Sequence, residues 1–245
     1  MRVQFVGCGD AFGSGGRLNT CFHVTGERAN FLIDCGASSL IGMKRLGIDR
    51  NAIDAILVTH FHGDHFGGLP FFMLEAQFVA KRARPLLIAG PPGLEDRYAQ
   101  AIGAAFPGSA LTSERFALAF RELEVEKANE LGGLKVETFL MRHVAAAGPC
   151  LGLRIEVEGR VIAFSGDTEW TEALIPLGRD ADLMICEAYT RDKPVKLHLA
   201  LSQLEARLAE IHPKRLVLTH LGEDMLARRA EVPYQTAEDG LVIEL

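Results

Sequence analysis

The stretch THFHGDHFGG (59–68) places His60, His62, Asp64 and His65 within six residues. Imidazole nitrogen and carboxylate oxygen are donors that zinc takes from proteins, and manganese or iron accept them as well. The spacing suits that use. In extended chain, residues i and i+2 face the same way, so a strand ending at His60 aims His60 and His62 at one ion. Gly63 allows a tight turn, after which Asp64 and His65 are placed to serve a second ion. The bland alternative is a solvated loop that happens to be rich in histidine. The chain has eight histidines in 245 residues, so three of them in this one turn are a poor match to chance.

A two-ion site needs more ligands, and the chain offers them at strand ends. His143 closes VETFLMRH (136–143), Asp167 follows VIAFSG and can bridge two ions, and His220 closes RLVLTH (215–220). Taken singly, each is an ordinary hydrogen-bonded residue at a sheet edge. As a set they can converge on one edge. His198 lies in KLHLALSQL, just before a helical pattern, while His23 sits in an alternating strand and His212 at a helix end, where a cation is favoured in any case. The glycine-rich DAFGSGG (10–16) is open to two readings, a backbone cradle for phosphate or a plain tight turn. Cys8 beside it reads as a small buried residue, and Arg17 as a candidate to reach substrate.

The elements that must position these residues are short apolar runs bounded by Gly, Asp, Asn or Pro. The strand pattern covers 3–7, 20–25, 30–34, 55–60, 85–90, 136–143, 151–157, 160–166, 182–187 and 215–220. Helical spacing appears at 37–47, in LPFFMLEAQF after Gly68, and at 92–106. It appears again at 202–212, where Ser202 and Glu205 read as a capping box. Residues 113–127 fit strand and helix equally. Strands with helices interspersed predict a layered α/β architecture with sheets inside and helices outside. The whole of 1–245 reads as one domain. AILVTH and RLVLTH, and the strand-end Asp34 and Asp167, echo each other faintly, which suggests two halves of similar plan at about 1–125 and 130–245.

Composition narrows the partners. A formal net charge of −6 and no basic patch give no sign of a nucleic-acid surface. Five widely spaced cysteines without a CxxC argue against a disulfide framework and for a reducing compartment. The start MRVQFVG shows no signal-peptide core, and no apolar run approaches the roughly 20 residues of a spanning helix. A cytoplasmic location without a membrane partner is the expectation.

HFHGDH matches the HxHxDH signature of the metallo-β-lactamase superfamily, and His143, Asp167 and His220 follow in the order of that family's remaining ligands. The resemblance spans essentially the whole chain. It implies a four-layered αββα sandwich with a dinuclear site along one edge of the sheets. The first metal would take His60, His62 and His143, the second Asp64, His65 and His220, with Asp167 bridging. Two divalent ions, zinc first and manganese or iron as alternatives, would be the cofactors. VGCGDAFGSGGRLNTCF, HGDHFGGLPFFM, FSGDT and LVLTHL resemble the ribonuclease Z-like branch, which carries a further histidine before the last ligand. His198 stands in that place, with Glu187 as a candidate to orient it.

One departure from that branch bears on substrate. Ribonuclease Z enzymes insert a tRNA-gripping arm between the third histidine ligand and the bridging aspartate. Here only 24 positions separate 143 from 167, and two strand patterns fill them. tRNA is therefore not the expected partner. A small or short nucleotide-like phosphodiester is, as for the armless phosphonate-pathway phosphodiesterases of the same branch. By this resemblance a metal-bridging hydroxide attacks phosphorus, Asp64 also orients it, and His198 stabilises developing charge or protonates the leaving oxygen. Asp34 is either an orienter of a ligand histidine or a helix cap. A lactonase or other ester or amide hydrolase is the alternative, and a non-catalytic metal-binding protein the second. A redox role fits less well, because iron-binding redox members tend to have glutamate where His62 stands. Relatives dimerise, so a homodimer is also in view, with the apolar stretch from Phe66 to Arg84 over either the site or a partner.

Overall fold

The computed structural model describes residues 1–109 and 113–245. Its strands form two seven-stranded sheets. The first is built from β1 (Arg2–Gly7), β2 (Cys21–Thr25), β3 (Asn30–Ile33), β4 (Ala55–Leu57), β5 (Leu86–Gly90) and β6 (Leu118–Glu122). The second is built from β7 (Ala128–Leu131), β8 (Leu134–Leu140), β9 (Leu151–Val157), β10 (Arg160–Phe164), β11 (Leu183–Glu187), β12 (Leu216–Thr219) and β13 (Gln235–Thr236). The last strand, β14 (Val242–Glu244), returns to the first sheet and pairs with β1, Ile243 opposite Val3. The helices are α1 (Ser39–Arg45), α2 (Gly63–Phe66), α3 (Leu69–Phe78), α4 (Leu94–Ala105), α5 (Leu174–Gly178), α6 (Leu201–Glu205), α7 (Leu208–Ile211) and α8 (Glu223–Ala227).

The layering follows from side-chain alternation. A strand covered on both faces reads as continuously apolar, with successive residues entering different layers. Ile33 on β3 and Val217 on β12 enter the core between the sheets, where Phe5, Phe22 and Phe164 meet edge to face. Their neighbours face outward. Leu32 packs with Met43 of α1, Phe72 of α3 and Tyr98 of α4. Leu218 packs with Leu174 of α5, Leu204 of α6 and Ile211 of α7. Three apolar layers between two sheets and two sets of helices make the expected αββα sandwich.

Strand direction then places the chemistry. β3, β4, β5 and β6 run parallel, as do β10, β11, β12 and β13. Their carboxyl ends lead into Asp34, His60, Asp167, Glu187 and His220 at the edge where ligands gather in parallel sheets. A bond from Leu151 N–H to the Thr59 carbonyl (3.0 Å) joins the two sheets there.

Several local expectations change. The 113–127 stretch resolves as β6, an outer strand beside β5. The 202–212 pattern breaks into α6 and α7, and Ser202 does not cap it. Its hydroxyl donates to Asp192 O, Glu205 pairs with Arg191, and Gln203 accepts from the Ala200 N–H. β7, β13, β14, α5 and α8 have no counterpart among the sequence expectations; all are five residues or shorter, and β14 pairs with β1 at the other end of the chain. All five cysteines are free and buried.

Two polar anchors hold the frame away from the site. Arg82, only 2% exposed, donates to the carbonyls of Ile53 (2.6 Å), Pro85 (2.6 Å), Arg84 (2.8 Å) and Arg50 (3.1 Å), pinning the starts of β4 and β5. Arg82→Ala strands those carbonyls and should lower the unfolding free energy by about 3 kcal/mol, measured by urea denaturation. At the same end of the sandwich, away from the site, the Glu158 carboxylate accepts from the N–H groups of Glu27, Arg28 and Ala29 at 2.8, 2.8 and 2.9 Å, clipping one sheet to the other. Those bonds hold its pKa below the usual 4.5. A depressed carboxylate pKa stabilises the fold above the unfolded value and loses that contribution as pH falls through the folded one. Glu158→Gln should therefore be less stable than wild type at neutral pH, and the gap should close on acidification below 4.5.

Candidate metal centre

β4 ends at Leu57, the chain bends at Thr59, and His62 just before α2 is extended, which brings His60 and His62 to the same side. His60 Nε2 and His62 Nδ1 lie 3.2 Å apart, and His143 Nε2 lies 3.1 Å from the same Nδ1. Gly63 opens α2, which carries Asp64 and His65 back toward the sheets. This turn sits so close to the loop after β3 that a Cβ at Gly36 would lie 2.1 Å from the Asp64 carbonyl oxygen, so only glycine fits there.

Asp167, which follows Gly166 after β10, is 2% exposed and reaches every histidine of the cluster except His62. Its Oδ1 lies 3.1 Å from His65 Nε2, and its Oδ2 lies 3.4 Å from His220 Nε2 and 3.9 Å from both His60 Nε2 and His143 Nε2. Asp64 Oδ2 completes the group, 3.4 Å from His65 Nε2 and 3.9 Å from His220 Nε2. Two overlapping sets result: His60, His62, His143 and Asp167, and Asp64, His65, Asp167 and His220. Within each, the candidate ligand atoms lie within 4.8 Å of one another.

The donor chemistry fits divalent cations. Burial pushes His60 well below its usual pKa and lowers His62 and His143, which leaves neutral rings with a free lone pair. Burial resists ionisation of Asp167 and Asp64, but the surrounding imidazoles hold both carboxyls below the usual range. His65 Nε2 and Asp167 Oδ1 are fully buried and make no hydrogen bond within the protein. Buried polar atoms are rarely left so. Their convergence is compatible with a dinuclear metal site.

The surrounding groups orient this cluster. Asp34 is fully buried and accepts from His65 Nδ1 (2.6 Å), Thr59 N–H (2.8 Å) and Thr59 Oγ1 (2.8 Å). It caps no helix, because α1 begins only at Ser39. His143 Nδ1 donates to the Leu197 carbonyl at 2.7 Å. Such bonds fix which ring nitrogen faces the cluster.

His198 belongs to neither set. It stacks on Tyr189 (4.7 Å between centroids) and pairs through Nδ1 with Glu187 Oε2 at 3.1 Å. Glu187 is wholly buried and also accepts from the Thr168 and Leu199 N–H groups, so it is no surface acid. Burial opposes a charge on His198, but the Glu187 bond and the nearby Asp167 and Asp64 override it and push the ring up to about 9. Protonated at neutral pH, it can donate. Thr59, Thr168, Leu197 and Tyr189 were not singled out from the sequence. Thr168 lies in the quoted FSGDT, but Leu197 acts through its backbone and Tyr189 through ring stacking, neither of which leaves a motif.

The remaining candidates sit outside the cluster. His23 pairs with Asn30 Oδ1 at 2.8 Å and His212 with Asp180 at 3.1 Å. The Asp10 carboxylate accepts from the N–H groups of Phe12 and Ser14, and Glu223 accepts from Gly15. Those donors of the 10–16 loop are thus engaged internally, as in a tight turn. Burial raises the Cys8 thiol, which suits a packing role.

The family model described as Anti-Pycsar protein Apyc1 matches residues 1–242. Ribonuclease Z of Methanosarcina acetivorans is 27% identical over 269 aligned positions, covering 90% of this chain and 87% of that protein. The short form of human tRNase Z superposes with a TM-score of 0.80 at 24% identity, covering 100% of this chain and 99% of the other. A diphosphatase of the PhnP family gives 0.77 at 21% identity, covering 100% and 97%.

Asp34 offers a direct test of the orienting shell. Asp34→Asn keeps its shape but removes the charge facing His65, and should weaken divalent-metal affinity about 10–100-fold. Chelator competition on the purified variant would measure this, and unchanged affinity would reduce Asp34 to a packing residue.

Proposed function

This chain belongs to the Anti-Pycsar protein Apyc1 family, a ribonuclease Z-like hydrolase of the metallo-β-lactamase superfamily, and from that premise we propose that it is a dinuclear phosphodiesterase acting on a small or nucleotide-like phosphodiester. The observation that carries this reading is the pair of four-residue donor sets sharing Asp167. His60, His62 and His143 would hold one divalent ion, zinc by preference, and Asp64, His65 and His220 the other, with Asp167 common to both donor sets. When bound, such ions lower the pKa of a water to about 7 and offset charge on phosphoryl oxygens.

The chain's own residues do the rest. Asp64 accepts a proton and orients the attacking water. His198, held by Glu187, donates a proton to the oxygen that leaves. Asp34 keeps His65 Nε2 facing the site. The names ribonuclease Z and diphosphatase carried by relatives favour a phosphate ester over a lactone. tRNA fits poorly, because β9 and β10 are joined by only Glu158 and Gly159, leaving no arm between His143 and Asp167. Five buried free thiols accord with a reducing, cytoplasmic setting. The exposed Phe71, Phe78 and Val79 around α3 form the apolar surface a second copy would cover in a homodimer. No helix among the described residues is long and apolar enough to cross a membrane.

The test is metal content measured beside hydrolysis of bis(p-nitrophenyl) phosphate and of a lactone. Wild type should bind about two metals and turn over the diester. His62→Ala should lose metal and activity together, whereas His198→Ala should keep its metal and lose about 10²–10⁴ in kcat. Turnover of the lactone alone would move the reading to carbonyl chemistry, and a protein that takes up no metal would sink it.

A further inference from the structure

α4 carries Glu95, Tyr98, Ala99 and Ile102 at the i, i+3, i+4, i+7 spacing of a single helical stripe. Leu118 and Phe120 of β6 share one face of their strand, at i and i+2. Together they wall a cavity of about 270 Å³, small against the sites that hold drug-sized molecules. None of its described wall residues belongs to either donor set of the metal centre. We propose that this cavity binds a small aliphatic diamine as its dication.

Tyr98 is only 6% exposed. Its ring packs against Phe120, with centroids 5.1 Å apart and 40° between the planes. Its hydroxyl is buried and has no hydrogen-bond partner among the described residues. A buried hydroxyl is rarely left so, and one that is marks a place for something from outside the chain. Burial and the Glu114 carboxylate both push the phenol above its usual pKa of 10.0, so it stays neutral. Its oxygen can then accept from an N–H while its proton goes to a carboxylate. Glu114 does not sit on a free loop. Gln77 of α3, 5% exposed, donates to the Ser113 carbonyl at 3.1 Å and accepts from the Arg115 N–H at 2.8 Å. Those two bonds flank Glu114 and fix its backbone.

Charge decides the class of ligand. Glu95 and Glu114 bring two negative charges to the cavity, one from α4 and one from the segment before β6, and no Lys or Arg is among the described wall residues. Phosphate esters and carboxylates are repelled. A calcium or magnesium ion takes about six oxygens or more, whereas Ala99, Ile102, Leu118 and Phe120 present only apolar side chains. An alkylammonium matches these walls. Its three N–H donors meet the phenol and the carboxylates, the aromatic faces attract its charge, and its methylenes lie along the aliphatic side chains. Two negative charges are matched by two positive ones, which favours a diamine over a monoamine. Both carboxylates are exposed, so salt screens their attraction and should weaken binding.

Titration of putrescine into the metal-loaded protein at low salt, followed by backbone NMR shifts, tests the site. Saturable shifts should be confined to α4, β6 and residues 113–115. Butylamine, with one charge, and the butanediol of equal length, with none, should bind about tenfold or more weakly. Glu114→Gln should weaken putrescine binding about tenfold. Tyr98→Phe should weaken it as well, yet should not lower the thermal midpoint, because losing an unpaired buried hydroxyl removes a desolvation cost. No saturable binding would overturn the proposal. So would butylamine or butanediol binding as tightly as putrescine, or a putrescine affinity that both variants leave unchanged. A clear drop in the thermal midpoint of Tyr98→Phe would also overturn it, since the hydroxyl would then have a partner within the chain. Diester hydrolysis enters none of these readouts, so the site stands or falls apart from the phosphodiesterase reading.

Discussion

Everything at the site depends on holding the Asp167 carboxylate ionised in a place almost without water. A buried carboxylate costs several kcal/mol to desolvate, repaid only where opposite charge and good geometry surround it. Asp167 is ringed by His60, His65, His143 and His220, which come from β4, α2, and the ends of β8 and β12. Of these His65 supplies opposite charge: burial opposes it, but Asp167, Asp64 and Asp34 raise its pKa. Both sheets must therefore be in register at one edge before any of these side chains is tolerable where it stands. The Leu151–Thr59 bond across the sheets and the Glu158 clip at the other end enforce that register.

Backbone conformation contributes as much as side-chain identity. Asp34 and His220 both adopt left-handed φ, 58° and 56°, just after β3 and β12. Non-glycine residues pay for that conformation, and it persists where surrounding contacts over-determine it. Asp34 is held by Thr59 and His65, and the His220 N–H is held by the Cys8 carbonyl at 3.0 Å. The strain turns each chain sharply out of its strand, so the side chain enters the cluster.

The parts of this arrangement that could be read in the sequence are those with a short period. His60, His62, Asp64 and His65 share one turn, the strands before Asp167 and His220 are short, mostly buried apolar runs, and the strand before His143 alternates buried and exposed residues. The layered fold followed from the same runs. What could not be read depends on distant partners. β13 and β14 are two and three residues long and exist only because β12 and β1 offer edges. The 202–212 pattern looked like one helix, but after Glu205 the chain turns and restarts at Leu208, and its side-chain caps go to Asp192 and Arg191 instead. Glu187 could be a surface acid or a buried one by pattern alone. Its burial is decided by the Thr168 and Leu199 N–H groups that solvate it.

One connection crosses from His143, a candidate ligand, to His198, the proposed proton donor. The Leu197 carbonyl accepts a hydrogen bond from His143 Nδ1, and the Leu197 N–H donates to Glu169 Oε1 at 2.8 Å. The next residue is His198. Leu197 also has φ 73°, which bulky residues seldom adopt, so its peptide groups have little freedom to reorient. A shift of the His143 ring would pull on the Leu197 carbonyl and displace the His198 backbone, while Glu187 restrains the His198 ring from the other side. His198, the proposed proton donor, is thereby indexed to His143 of the first donor set rather than to the surface loop it sits in. A catalytic group on a loop gains in this way the positional precision otherwise provided by a strand or helix.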